Sequence, residues 1–448
     1  MKKLFAIILS IILATVMLAA CAGDTPAPDE PEGEAQQQEA APEDPPADSG
    51  DAATGDRPVF QISTWASGYA ETYQRAEDAH NAAFDDIELR IEMVAGDYGA
   101  WLTTSLMSDT LPEAFFIAPY VTIRDFAEQG AVMDITDMAW TDVFFDDARD
   151  SVTHNGRLFG VPFAQQIINI FYNVDIFDEL GLDAPETVSE LRHVLETLYA
   201  AGYQPLSIGY RDTWVVWQVM TGLLATAMGS ADEMHDFIER MNAGEASFGD
   251  LPNIEGVMEV MQMLGDYSGV RFMDTDYAQM VADFAVGDAA MFVNGDWAVG
   301  DVLQINPDAR VGMIPYAVSD NPNETLLSSD IVIAIANNAN ADRGHVETIW
   351  ERIVDPHSTT SWTYYVVTEG AFLMGFPFYA AEPHLSVAGE QYIEWLQAGR
   401  VIPWLQNFVP MGFGSEIDGI EAQFMLRNMD EDTFIQTLDD AWRRVVAD

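Results

Sequence analysis

The chain is 448 residues long and carries 73 acidic against 19 basic residues, for a formal charge of −54 at pH 7. Such a surface repels nucleic acid and anionic lipid headgroups, so polyanion partners are excluded and anionic ligands are disfavoured. Cys21 is the only cysteine, so no internal disulfide can form.

Met1-Lys2-Lys3, an apolar run from Leu4 to Leu18 and Ala19-Ala20-Cys21 have the layout of a secretory signal, which predicts a removable segment over residues 1–20. The apolar run is shorter than the roughly 20 residues of a spanning helix, and an acidic rather than basic flank follows it. No permanent transmembrane helix is expected there. Leu18-Ala19-Ala20-Cys21 resembles a bacterial lipobox, which implies a diacylglycerol on the Cys21 thiol and acylation of the new amino terminus. At about 0.8 kcal/mol per buried methylene, two or more acyl chains give stable anchoring. Both lysines, Lys2 and Lys3, lie in the removed segment, so the lipid alone would hold the protein to the membrane.

Residues 21–57 form the next expected unit, the lipidated cysteine and an Ala-, Pro-, Glu-, Asp- and Gln-rich tether without aromatic residues. This composition cannot bury enough apolar area to order itself, and like charges and prolines keep it extended. Beyond it, strand-like and helix-like patterns alternate, predicting an α/β fold. Phe60-Gln61-Ile62-Ser63-Thr64 reads as a strand, and Tyr69, Tyr73, Ala76, Ala83 and Phe84 have helical spacing. Ile87, Leu89, Ile91 and Met93 alternate as a second strand, and Ala114 to Ala118 is a continuous apolar run suited to a buried parallel strand. The carboxyl ends of such strands are the natural ligand face, placing Thr64–Gly68 and Ala118–Tyr120 at a crevice. Thr187 and Glu190 form a capping box opening a helix through Leu191, Leu195 and Leu198. Helical patterns continue to Leu264, Ile331–Ile335 reads as a late strand, and Phe434, Leu438, Trp442 and Val445 mark an amphipathic last helix. The length beyond the tether exceeds one comfortable core, so two lobes are expected.

Three segments together carry a family resemblance. They are Asn155-Gly156-Arg157-Leu158-Phe159-Gly160-Val161-Pro162, then Ile170-Phe171-Tyr172-Asn173-Val174-Asp175-Ile176-Phe177 with Gly181–Thr187, then Phe284 through Asn294-Gly295-Asp296-Trp297. Earlier, Leu111–Phe116 leads to Phe126–Gly130 and Met133–Ile135. In this order the segments resemble the extracellular solute-binding proteins of ABC importers, the family that includes maltose-binding protein. The resemblance implies a two-lobed periplasmic-binding-protein-like fold with crossover hinge strands and a ligand cleft between the lobes. Lobe 1 would take residues 58–163 plus 326–375, and lobe 2 residues 164–325 plus 376–448. It further implies a monomer that captures a carbohydrate by hinge closure and delivers it to the permease subunits, on the extracytoplasmic face of the cell membrane.

The site residues follow from the resemblance and from strand ends. Trp297 matches the family's stacking tryptophan. Trp65 ends the first strand at the crevice, with Ala66 and Ser67 lining the same edge through backbone. Tyr120 is the candidate aromatic after the third strand, where Ala118 and Val121 depart from the maltose-binding pattern. Arg211, Asp212 and Trp214 fall where the family places an acid and an aromatic, the alternative being a solvated turn over packed Trp214 and Trp217. Gln165, beside Gln166, and Asp330 sit at the crossovers. Trp404, Phe408 and Phe413 read as packed rather than as a ligand wall.

No catalytic residue, metal ligand set or cofactor motif is expected. The histidines lack zinc-protease spacing, and no nucleophile elbow or P-loop is present. Asp274 and Asp276 read as a solvated loop rather than a calcium site. The rival readings are the same fold binding a polyamine, a peptide or another solute, and a secreted glycoside hydrolase.

Overall fold

The computed structural model describes residues 57–447 apart from 67–68, 95–97, 270–271, 323–325, 370–372, 381–386, 411 and 418. The signal segment, Cys21, the acidic tether and Ser67 lie outside the described residues. Arg57–Asp448 forms one compact unit.

The chain opens as the sequence predicts. Strand β1 (Val59–Thr64) leads to helix α1 (Ala70–Ala83), β2 (Glu88–Met93), α2 (Tyr98–Ser108) and β3 (Ala114–Ile117). All of β3 is buried, because it lies between β1 on one side and a late strand on the other. A tight hairpin follows, β4 (Thr153–His154) and β5 (Arg157–Leu158), turned by Asn155 and Gly156 with φ of 49° and 73°. This is the left-handed backbone that an Asn-Gly pair supplies at least strain.

Strand β6 (Gly160–Asn173) then runs for 14 residues. The capping box at Thr187 and Glu190 is formed and starts α3 (Val188–Ala201), whose Leu191, Leu195 and Leu198 are buried. Next come β7 (Gln204–Ser207), α4 (Thr213–Met228), α5 (Tyr277–Ala285), β8 (Ala289–Gly295), α6 (Trp297–Ile305) and β9 (Val311–Ile314). The chain closes through β10 (Leu326–Ile335), β11 (Leu373–Met374), β12 (Val401–Pro403) and α7 (Glu431–Ala447), whose Phe434, Leu438 and Trp442 are buried. Among the described residues, no helix is long and apolar enough to cross a membrane.

The main sheet has the order β2-β1-β3-β10-β6-β8-β7. Pairings β1–β2, β1–β3 and β7–β8 are parallel, whereas β10 is antiparallel to β3 and β6, and β8 is antiparallel to β6. Strand β10 begins five residues before the expected Ile331. Its polar start, Ser328-Ser329-Asp330, breaks the apolar pattern yet pairs with Ile167, Gln166 and Gln165.

Buried side chains gather in two large cores. One draws on Phe60 through Ala164 and Ile331 through Phe376; the other on Ile168 through Leu327 and Ile402 through Trp442. A third, smaller cluster surrounds Phe171, Phe284 and Phe292. Each fully buried large apolar side chain contributes about 1.5–3 kcal/mol, enough for either core to organise its own elements.

Candidate ligand-binding site

The end of β1 places Trp65 as an exposed aromatic. Its indole is 41 % exposed and packs edge-on to Tyr98 and Phe116, at centroid distances of 5.2 Å in both cases. Tyr98 is fixed in turn, its hydroxyl donating to the Ser63 and Phe116 carbonyls at 3.1 and 2.9 Å. The Ala66 amide donates to the Thr64 hydroxyl at 3.0 Å, which turns the chain at the strand end.

Trp297 begins α6 directly after β8. Its ring lies against the backbone of Gly295, where any Cβ would overlap the indole. That close approach is what the glycine in Asn-Gly-Asp-Trp provides. Trp214, 43 % exposed, lies 6.4 Å from Trp297 and 5.3 Å from Tyr277, so the three rings form one aromatic wall. The loop before Trp214 is held to the start of α5. Asp212 accepts the Tyr277 amide at 2.7 Å, the Arg211 amide donates to the Thr275 carbonyl at 2.9 Å, and the Arg211 guanidinium meets Asp276 at 3.2 Å. Asp276 also caps α5 through the Gln279 amide, so it has structural work in place of the calcium role. Among the described residues, no group of acids, histidines or cysteines could hold a metal ion.

Gln165 and Asp330 face each other across β6 and β10. The Gln165 amide donates to Asp330 at 3.3 Å, and the Tyr392 hydroxyl donates to Gln165 Oε1 at 3.5 Å. Burial pushes the Asp330 carboxyl up to about 6 against hydrogen bonds from Gln165 and Ser151. Tyr120 has φ 54° and ψ −99°, a strained conformation for a non-glycine residue. Its ring stacks on Phe408 at 4.5 Å, so this residue, which lies in sequence between Ile117 and Ile123 of the first core, packs against the second. Trp404, Phe408 and Phe413 are all buried, so they do pack.

Several residues that sequence reasoning did not single out also converge here. Asp296, between Gly295 and Trp297, has Oδ1 buried without a hydrogen-bond partner, and burial pushes its carboxyl up to about 7. Tyr277 donates its hydroxyl to Asp301 at 2.5 Å. The Tyr69 hydroxyl is raised well above its usual range by burial, then by Asp296, Tyr73 and Asp301. Tyr69 belongs to the first core's side of the chain and those aspartates to the second's, so the two sides meet at this point. The signal for Asp296 was its position beside Trp297; Tyr69 counted only among the helically spaced residues, and Tyr277, the first residue of α5, carried no signal. Among the candidates, Trp214 and Trp297 come together, as do Gln165 and Asp330. Trp65, Ala66 and Tyr120 stand at strand ends of the other side. Arg211 points its charge at Asp276.

Residues 63–345 match the model of a family described as bacterial extracellular solute-binding protein. The multiple sugar-binding protein of Streptococcus mutans is 22% identical over 243 residues, covering 54% of this chain and 58% of the relative. The melibiose/raffinose/stachyose-binding protein MelE of Bacillus subtilis is 24% identical over 284 residues, 60% of this chain and 63% of the relative. The chain thus spans less than two thirds of these curated relatives' own length. Among solved structures, SBP RafE in complex with raffinose superposes with a TM-score of 0.73 at 18% identity, covering 87% of this chain and 99% of that one. A chitin oligosaccharide binding protein gives a TM-score of 0.70 at 18% identity, with 87% and 99% coverage.

Proposed function

Because the chain belongs to the bacterial extracellular solute-binding proteins, we propose that it captures a carbohydrate, most simply an oligosaccharide, and delivers it to the permease subunits of an ABC importer. The observation that carries this reading is the aromatic wall of Trp214, Tyr277 and Trp297 with Asp296 and Asp301 beside it. Flat ring faces cover the apolar C–H side of a pyranose, while carboxylates and carboxamides accept and donate at its hydroxyls. Trp65, Ala66, Ser67 and Tyr120 would supply the opposite side, and Gln165, Arg211, Asp212 and Asp330 the polar contacts. The names of the sugar-binding relatives and structural neighbours support the same solute class.

The two large cores support lobes of residues 58–163 plus 326–375 and 164–325 plus 376–448, which close on ligand about the crossovers. A diacylglycerol on Cys21, after loss of residues 1–20, would hold a monomer on the extracytoplasmic face of the cell membrane, with residues 21–57 as tether. Named relatives are binding proteins, which supports solute capture without turnover.

Thermal unfolding of the full chain against a panel of neutral mono- and oligosaccharides tests the reading. A ligand that binds only the folded state stabilises by RT ln(1 + [L]/Kd), about 2.7 kcal/mol at 100 times Kd, a shift of a few degrees or less at this size. The expected result is a shift confined to one class of sugar and absent in Trp297→Ala. A panel-wide absence of shift in a protein that unfolds cooperatively would overturn it.

A further inference from the structure

Among the described residues, three carboxylates at the site have no cation to answer them. Asp296 carries the buried, unpartnered Oδ1, and the groups that act on its carboxyl are burial itself and the backbone of Ile167, Asp296 and Trp297, with no arginine or histidine. Among the described residues, Asp330 is hydrogen-bonded to a neutral side chain, the Gln165 amide at 3.3 Å. Asp301 accepts a phenol from Tyr277. The three are linked through tyrosines: Asp296 and Asp301 both act on the Tyr69 hydroxyl, and Asp330 and Asp296 both act on that of Tyr392. Arg211, the arginine of the neighbouring loop, is committed to Asp276. Elsewhere the fold does place guanidinium groups on its acids, as Arg352 on Asp86, Arg157 on Asp134 and Arg310 on Asp175 and Asp178.

A carboxylate taken out of water without a countercharge is costly, and it takes up a proton in place of one. Burial holds Asp296 near 7 and Asp330 near 6, which is that response in the free protein. A neutral hydroxyl arriving at Asp296 Oδ1 would fill the missing hydrogen bond but leave the charge unanswered. An ammonium supplies both, in a charge-assisted bond about twice as strong as a neutral one. The surrounding charge of −54 also concentrates cations at the protein surface.

We propose that the site takes a carbohydrate bearing a protonated amine, an amino sugar, with Asp296 and Asp301 receiving the ammonium and Trp297 and Trp214 the ring face. This rests on the carbohydrate reading above and narrows it. The indoles select the ring, and the acids select the amine among rings.

Isothermal titration of the full chain in non-ionic detergent at pH 7 and about 0.15 M salt, where charges beyond about 8 Å are screened, separates the cases. The probes are gluco- and galacto-configured disaccharides bearing a hydroxyl, an acetamido group or a free amine at the same carbon, and spermidine. In at least one series the amine should bind at least tenfold tighter than its hydroxyl and acetamido counterparts. Asp296→Asn, and independently Asp301→Asn, should bring that preference below about threefold. Equal binding of amine and neutral sugars in the wild-type protein overturns the amine and leaves carbohydrate capture standing. Binding of spermidine with no sugar, or of none of the probes, overturns the carbohydrate reading together with it.

Discussion

Burying a titratable side chain without a partner makes stability depend on pH, with a sign set by which form is neutral. His80 is fully buried with neither ring nitrogen bonded, and burial, reinforced by the nearby Arg352 charge, lowers its pKa to about 4. Between about 4 and 6.5 the unfolded chain binds the extra proton, so this contribution is present above the unfolded value and lost as pH falls. At about 1.4 kcal/mol per unit it is on the order of 3 kcal/mol. Guanidinium unfolding at pH 7 and pH 5 should show His80→Leu losing less stability on acidification than wild type; equal losses would count against a neutral buried ring. Asp296 runs the other way. Its folded value near 7 exceeds the ordinary carboxylate value, so its contribution is present at low pH and lost as pH rises from about 4 through 7. Asp296→Asn should therefore unfold at higher denaturant than wild type at pH 8 and at nearly the same denaturant at pH 4. An Asn variant weaker than wild type at pH 8 would show that the carboxylate already has its partner. The gain would come with weaker ligand binding, the trade expected where a site holds strain.

At the scale of elements, the junction of β8 and α6 ties function to backbone. Trp297 lies over Gly295, and a methyl group at that position would overlap the ring. Gly295→Ala should push the indole off its seat and weaken sugar binding at least tenfold, measured by titration, while far-ultraviolet circular dichroism stays unchanged; undiminished affinity would place Trp297 outside the contact. Much at this scale was legible in advance. The first two strands, the helix opened by the capping box at Thr187 and the last helix declare themselves through the spacing of their buried positions, and β3 through an unbroken apolar run that is buried throughout. The part of β10 before Ile331 did not, because Ser328, Ser329 and Asp330 lack the apolar signal, and register with β6 makes them strand. The site divides in the same way. Trp65 and Trp297 follow strands, where an aromatic stands out, the first exposed and the second half-buried, whereas Tyr69 and Tyr277 stand at helix starts, where tyrosine is ordinary. Asp296 is hidden by abundance, one acid among 73.

For the whole molecule, charge is the dominant peculiarity. A formal −54 destabilises a compact chain through self-repulsion, and the arginine pairs that oppose it are mostly exposed, worth about 0–1 kcal/mol each. Raising sodium chloride from about 0.01 to 0.5 M shortens the Debye length severalfold. The melting temperature should rise over that range; a fall would mean that the ion pairs outweigh the repulsion. The paths between the cores carry a different consequence. The chain passes from one core to the other in β6, returns in β10 and crosses again after Phe376, and the first two passages are hydrogen-bonded side by side. The connection is thus redundant: a single cut peptide bond in any one passage leaves two covalent tethers intact, so a nicked molecule would keep its halves together, and a circular permutant opened in one passage would still have a path by which each half finds the other.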